Sequence, residues 1–222
     1  MTYFTKDYLH FLSELSLNND RDWFNANKKR FKDHVEAPFK KFVDALIDQA
    51  SALDSRISIT SKEAVFRIYR DTRFSKDKTP YKTHMSAVIA EGGRKGEKTG
   101  GIYIHSSADD FKIYTGFYMP KPKQVQLVRE AIASDMKGFK AIIENKKFKK
   151  LFGAIQGDEH KRVPKEFADL VAKQPLLMKK SYYAFHEFEP EVIFKKNLVD
   201  ICMKHFLAAQ PLGEFFDAAI KE

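Results

Sequence analysis

The sequence predicts an α+β fold in which a central, mostly antiparallel sheet carries helices from the N-terminal and C-terminal parts of the chain. Three observations predict it. Apolar residues recur at helical spacing as far as Leu53, the period changes to alternation between Arg56 and Tyr118, and the helical period returns after Pro120-Lys121-Pro122.

Tyr8, Phe11, Leu12 and Leu15 form the first apolar stripe, and Asn18-Asn19-Asp20 supplies a stop for it and a cap for the next helix. That second helix carries Trp23, Phe24, Asn27, Phe31 and Val35. Pro38 has no N–H for the interior bond, so it is expected to kink the helix or open a third one bearing Phe39, Phe42, Val43, Leu46 and Ile47. Alternation then marks strands at Ile57 and Ile59, Phe66 and Ile68, Tyr81 through Ile89, Ile102 and Ile104, and Phe111 through Tyr118. Their short, glycine-punctuated connections join antiparallel neighbours, because parallel strands need long crossovers. Helices follow through Val125, Val128 and Ile132, then Phe139, Ile142 and Ile143, then Phe148, Leu151 and Phe152. The stretch from Val163-Pro164 to Phe188 has room for another strand or two. A last amphipathic helix is expected from about Pro190 past Phe206, interrupted at Pro211.

The chain has 222 residues, 43% of them hydrophobic, which suffices for a substantial core. No repeat, low-complexity tract or linker breaks it, so a single domain over 1–222 is expected. The one cysteine, Cys202, sits among Leu198, Ile201, His205 and Phe206 at helical spacing and reads as a small buried thiol of a reducing compartment. Met1 to Asp7 lacks the apolar core of a signal peptide and no run is long enough to span a bilayer, so a cytoplasmic location without membrane partners is expected. The net charge of +9 favours association with anions. Most of the lysines, at Lys28 to Lys32, Lys40 to Lys41 and Lys146 to Lys150 among other clusters, alternate with apolar residues at helical spacing and read as solvated helix faces.

The segment from Arg67 to Lys82 stands apart, with six cationic side chains, Arg67, Arg70, Arg73, Lys76, Lys78 and Lys82, against two acids, Asp71 and Asp77. Alternation places Arg67, Tyr69, Asp71 and Arg73 on one face and Phe66, Ile68, Arg70 and Phe74 on the other. Arg70 among apolar neighbours then requires a carboxylate or an anionic ligand. Past Phe74 the chain must turn, since Pro80 forces Thr79 away from helical angles. Two strands joined by a cationic turn would gather the six bases around a phosphate or polycarboxylate. The alternative is an ion-pair network built on Asp71 and Asp77, completed from elsewhere by Glu187 or Glu189.

The run Arg70 to Lys82, Arg-Asp-Thr-Arg-Phe-Ser-Lys-Asp-Lys-Thr-Pro-Tyr-Lys, closely resembles the signature of a widespread, mainly bacterial family known only as a conserved domain of unknown function. Asn18-Asn19 with Trp23-Phe24, Gly116 to Pro120, and Arg162 to Lys165 agree with it. The resemblance covers essentially the whole chain and implies a standalone α+β domain. It brings no established activity and no assigned catalytic residues.

Gly96-Glu97-Lys98-Thr99 misses the spacing of a phosphate-binding loop and reads as a hairpin connection, and no dinucleotide fingerprint or nucleophile elbow is present. No cofactor is expected. The seven histidines show no metal spacing, although His84 and His105 could share the polar side of the sheet. The phenylalanines read as core, and Tyr69, Tyr81 and Tyr103 are the aromatic candidates for facing a ligand. Three functions follow. The first is an anion-binding protein for phosphate or nucleotide, with or without catalysis, in which Asp71 is the candidate base. Arg70 and Arg73 should depress its pKa, which suits orientation better than proton abstraction. The second is a non-enzymatic nucleic-acid-binding module, and the third is an interaction scaffold in which the cationic segment is structural.

Overall fold

The computed structural model describes residues 1–97 and 99–221, so the Lys98 position of the near-miss phosphate loop lies outside the described residues. The described residues cluster into two compact units. One comprises 1–96, 103–113 and 187–204, the other 97–102, 114–186 and 205–222.

The first unit opens with α1 (Lys6–Leu17), whose buried residues Tyr8, Phe11, Leu12 and Leu15 are the expected stripe. Asp20 caps α2 (Arg21–Ala26) by accepting from the Trp23 N–H at 2.9 Å, as the Asn-Asn-Asp run requires. A short α3 (Lys28–Phe31) leads into a single π-turn, Lys32–Glu36, and on to α4 (Ala37–Leu53). Pro38 sits in the first turn of α4, where its missing N–H costs least, and the wider turn before it is closed by the Ala37 N–H donating to the Lys32 carbonyl. The unit's core joins α1, α2 and α4: Phe4 packs on Tyr8 with ring centroids 4.6 Å apart, Phe11 tilts against Trp23 at 5.5 Å, and Phe42 meets Phe4 at 5.6 Å.

Four strands, β1 (His84–Ile89), β2 (Ile102–Ser107), β3 (Phe111–Phe117) and β4 (Tyr182–Phe188), form one antiparallel sheet in that order. The meander of β1 to β3 follows the alternation, and Phe111, Ile113, Thr115 and Phe117 are buried while Lys112 and Tyr114 are half-buried. The stretch after Val163 supplies only one strand, β4.

Two expected strands are absent. Ile57 and Ile59 lie in irregular chain before a one-turn helix, α5 (Ser61–Ala64), which a Thr60–Glu63 capping box starts. Phe66 and Ile68 lie on a ribbon that touches the chain before β1 and β1 itself at single bridges, Val65 to Ala87 and Tyr69 to Tyr81. Arg67 and Tyr69 on its outer side are exposed, so the ribbon acquires no second neighbour to extend a ladder.

In the second unit come α6 (Pro122–Ser134), α7 (Met136–Ile143), α8 (Lys146–Phe152), α9 (Lys165–Ala168) and the C-terminal α10 (Leu198–Ala219), whose first residues, Leu198 to Lys204, belong to the first unit. The expected break at Pro211 does not occur. Pro211 is on the exposed side of α10, and residue 207, whose carbonyl it leaves without a helical donor, is itself exposed, so water can take the freed acceptor. Two residues on, Gly213 packs so closely on Gly100 that an added Cβ would lie 2.7 Å from the Gly100 nitrogen. Cys202 is buried, and burial pushes its thiol pKa upward, as its apolar neighbours foretell. Among the described residues no helix is long and apolar enough to cross a membrane.

Candidate anion groove and the signature loop

The cations of the signature segment engage several different partners. Residues 65–70 and 80–87 run antiparallel, with the Arg70 N–H donating to the Pro80 carbonyl at 2.9 Å and the Lys82 N–H to the Ile68 carbonyl at 2.8 Å. Residues 71–79 form the loop between them. Arg70 points into this loop, and its guanidinium donates to Asp77 Oδ2 and to the Thr79 hydroxyl. Asp77 Oδ1 also accepts from the Thr79 N–H and hydroxyl, both at 2.9 Å. These donors, first the Thr79 amide and then Arg70, hold the Asp77 carboxyl down to about 2. The partner that Arg70 needs is therefore a carboxylate within the same loop.

Arg73 is largely exposed and grips Asp71 with two bonds, at 3.0 and 2.7 Å. Its side chain is the main reason that the Asp71 pKa is held down to about 2, whereas Arg70 has turned away to Asp77. A carboxylate so strongly ionised is a poor proton acceptor, and both its oxygens already accept from Arg73. Lys78 Nζ donates to the Thr72 carbonyl at 2.9 Å. Lys76 is exposed, and neither it nor Arg67 nor Lys82 has a carboxylate partner among the described residues. Glu187 completes no network here, since it pairs with Lys112 at 3.2 Å. Lys82 is half-buried, its ammonium 5.1 Å from the Phe66 ring centroid. Burial, and secondarily the Arg67 charge, lower its pKa.

Of this set, Arg67 lines a groove. This groove of about 610 Å³ in the first unit has Lys28, Lys32, Lys40, Lys62, Arg67 and Arg94 on its walls. The single carboxylate that lines it among the described residues, Glu36, is already bonded to Lys40 at 2.7 Å. Phe24, Phe31, Val65, Phe66 and Met85 form the apolar lining, and the half-exposed ring of Tyr69 stands at the edge. Local sequence builds each wall. Lys28, Lys32, Glu36 and Lys40 recur every fourth residue and so share one side of the α3–α4 helical stretch, with the π-turn bounded by two of them. The α5 capping box places Lys62, and Arg94 NH1 spans the Lys62 carbonyl at 2.7 Å and that of Val65.

In the sequence Lys28, Lys32 and Lys40 read as parts of a solvated helix face, and nothing there marks Lys62 or Arg94. The fourfold spacing was the one signal that could have grouped the first three. Among the tyrosines, Tyr69 faces the groove. Tyr81 instead is buried and stacks on Phe24 at 4.0 Å, because the Asn19 side chain clasps its backbone N–H and C=O, both at 3.0 Å. Tyr103 meets Phe66 edge-on at 6.0 Å.

His84 and His105 do share one side of the sheet, with ring centroids 4.1 Å apart, and His105 Nε2 lies 3.3 Å from Asp110. Burial is the main cause that lowers both imidazole pKa values, that of His84 to about 3, so both are neutral at pH 7. Among the described residues no group of three or more His, Cys, Asp or Glu side chains is arranged to hold a metal ion. The arrangement as a whole can hold negative charge against an apolar wall.

The family model described as conserved hypothetical protein (DUF2461) matches residues 7–215. No curated protein matches the chain.

Proposed function

The chain belongs to the DUF2461 family of conserved hypothetical proteins, and we propose that it binds a phosphorylated ligand in the groove lined by Lys28, Lys32, Lys62, Arg67 and Arg94. One observation carries this reading: among the described residues, six cationic side chains share a groove with a single carboxylate, and Lys40 already occupies that carboxylate. Like charges held this close repel, and a bound anion relieves the repulsion while gaining charge-assisted hydrogen bonds. Arg67 offers the planar fork suited to two oxygens of one phosphate. The volume of about 610 Å³ accommodates a ligand of nucleotide size. The partly exposed rings of Phe66 and Tyr69 suit a ligand with a flat, weakly polar part beside its phosphates.

Calorimetric titration and thermal melts with pyrophosphate and with nucleoside diphosphates test the reading. At a hundredfold excess over Kd, a ligand specific to the folded state should add about 2.7 kcal/mol of stability, a rise of roughly 5–10 °C for a chain of this size. The double substitution Lys32→Ala with Arg67→Ala should abolish most of that rise, and Lys173→Ala, far along the sequence on an exposed position, should leave it intact. No stabilisation by any phosphorylated probe at low salt would remove the groove as a binding site.

A further inference from the structure

The signature loop is closed by several side-chain bonds of its own, yet groove binding does not use it. Its bonds hold Phe74 in water. Phe74 is 96% exposed, the most exposed of the large apolar side chains, although full burial of a phenylalanine is worth about 1.5–3 kcal/mol. The loop does not collapse onto that ring. Arg70 to Asp77 and Thr79, Lys78 to the Thr72 carbonyl, and Arg73 to Asp71 fix the backbone on both sides of it. The Arg73 guanidinium lies 5.8 Å from the Phe74 ring centroid, and Lys76 and Lys78 follow it within four positions in sequence. A convex tip has no volume for a small molecule, and a flat ring set among cations matches a base joined to phosphates. The loop is continuous with the groove, because Tyr69 both lines the groove and forms the bridge to Tyr81 at the loop's base.

We infer that the ligand of the groove is a single-stranded nucleic acid, whose phosphates lie along Lys28, Lys32, Lys62, Arg67 and Arg94 and one of whose bases stacks on Phe74. This rests on the groove reading above and adds the polymer to it. A single strand is required because a base within a duplex is already stacked on both sides and offers no face to a side chain. The two exposed carboxylates of the loop do not oppose this, since Asp71 and Asp77 are each bonded to an arginine.

The test measures fluorescence anisotropy of labelled single-stranded DNA and RNA of about ten nucleotides, alongside pyrophosphate calorimetry, on the full chain. Phe74→Ala should weaken oligonucleotide binding about 5- to 150-fold, the equivalent of one stacked base, and Phe74→Trp should restore it. Neither should alter the pyrophosphate affinity, and both should melt within about 2 °C of the parent, because a fully exposed ring adds little to the core. Raising the salt should weaken oligonucleotide binding steeply. Pyrophosphate binding without oligonucleotide binding overturns the inference and leaves the groove reading standing. Loss of both overturns both. Oligonucleotide affinity unchanged in Phe74→Ala overturns the stacking role. Phe74-dependent binding to phosphatidylserine vesicles with no oligonucleotide binding overturns it in favour of a membrane-surface anchor.

Discussion

Asp77 shows how one residue can decide the fate of several others. By taking Arg70 and the Thr79 amide and hydroxyl together, it turns a run of charges into a rigid loop and leaves Asp71 to Arg73. Arg70→Ala should therefore loosen residues 71–79 without unfolding the chain. Limited chymotrypsin digestion should cut after Phe74 several-fold faster, with little change in Tm, and an unchanged cleavage rate would show that other contacts hold the loop. Asn19 plays a similar part in a less exposed setting. Its amide satisfies both backbone groups of Tyr81, so Asn19→Ala leaves a part-buried N–H and C=O without these partners and should cost about 1–3 kcal/mol in urea denaturation. The bases of the signature were legible in the sequence and so was the need of Arg70 for a partner. Which acid met which base was not, because Asp71 and Asp77 are equally available to a chain whose loop geometry is unknown.

On single elements, period and position decide. Strand β1 carries His84, whose pKa burial holds down to about 3, with the His105 and Lys82 charges acting in the same direction and Asp110 opposing. The folded chain keeps this imidazole neutral while the unfolded chain protonates it near pH 6.5, so the unfolded state binds more protons between those values. The contribution is complete above pH 6.5 and is lost as pH falls toward 3. Melts should show His84→Asn losing less stability than the parent between pH 7 and pH 5, by on the order of 1–2 kcal/mol. His105, also lowered, should retain part of the slope. Helix α10 tells the complementary story. The sequence suggests a break at its Pro211, but an exposed proline is tolerated where water takes the freed carbonyl, and the tight spot lies at Gly213 instead. Gly213→Ala would press a methyl group onto the backbone of Gly100 and should cost roughly 3 kcal/mol or more, measured by denaturant unfolding.

For the whole chain, the backbone crosses between the two compact units after Gly96 and again within β2, β3, β4 and α10. A single cooperative domain over 1–222 then predicts one calorimetric transition with equal van't Hoff and calorimetric enthalpies, and two resolved transitions would refute it. The α+β class, the helical ends, the β1–β3 meander and the cationic character of 67–82 were fixed by local information: hydrophobic period, caps, turn residues and charge count act over a few residues and need no partner. The groove depended on approach in three dimensions. Lys28 and Lys32 join Lys62, Arg67 and Arg94 there only because the helical stretch, the α5 turn and the 65–70 ribbon meet in the first unit, far apart in sequence. The same packing drew Tyr81 into the core and left Phe74 in water, since a side chain's burial is set by what the rest of the fold brings against it.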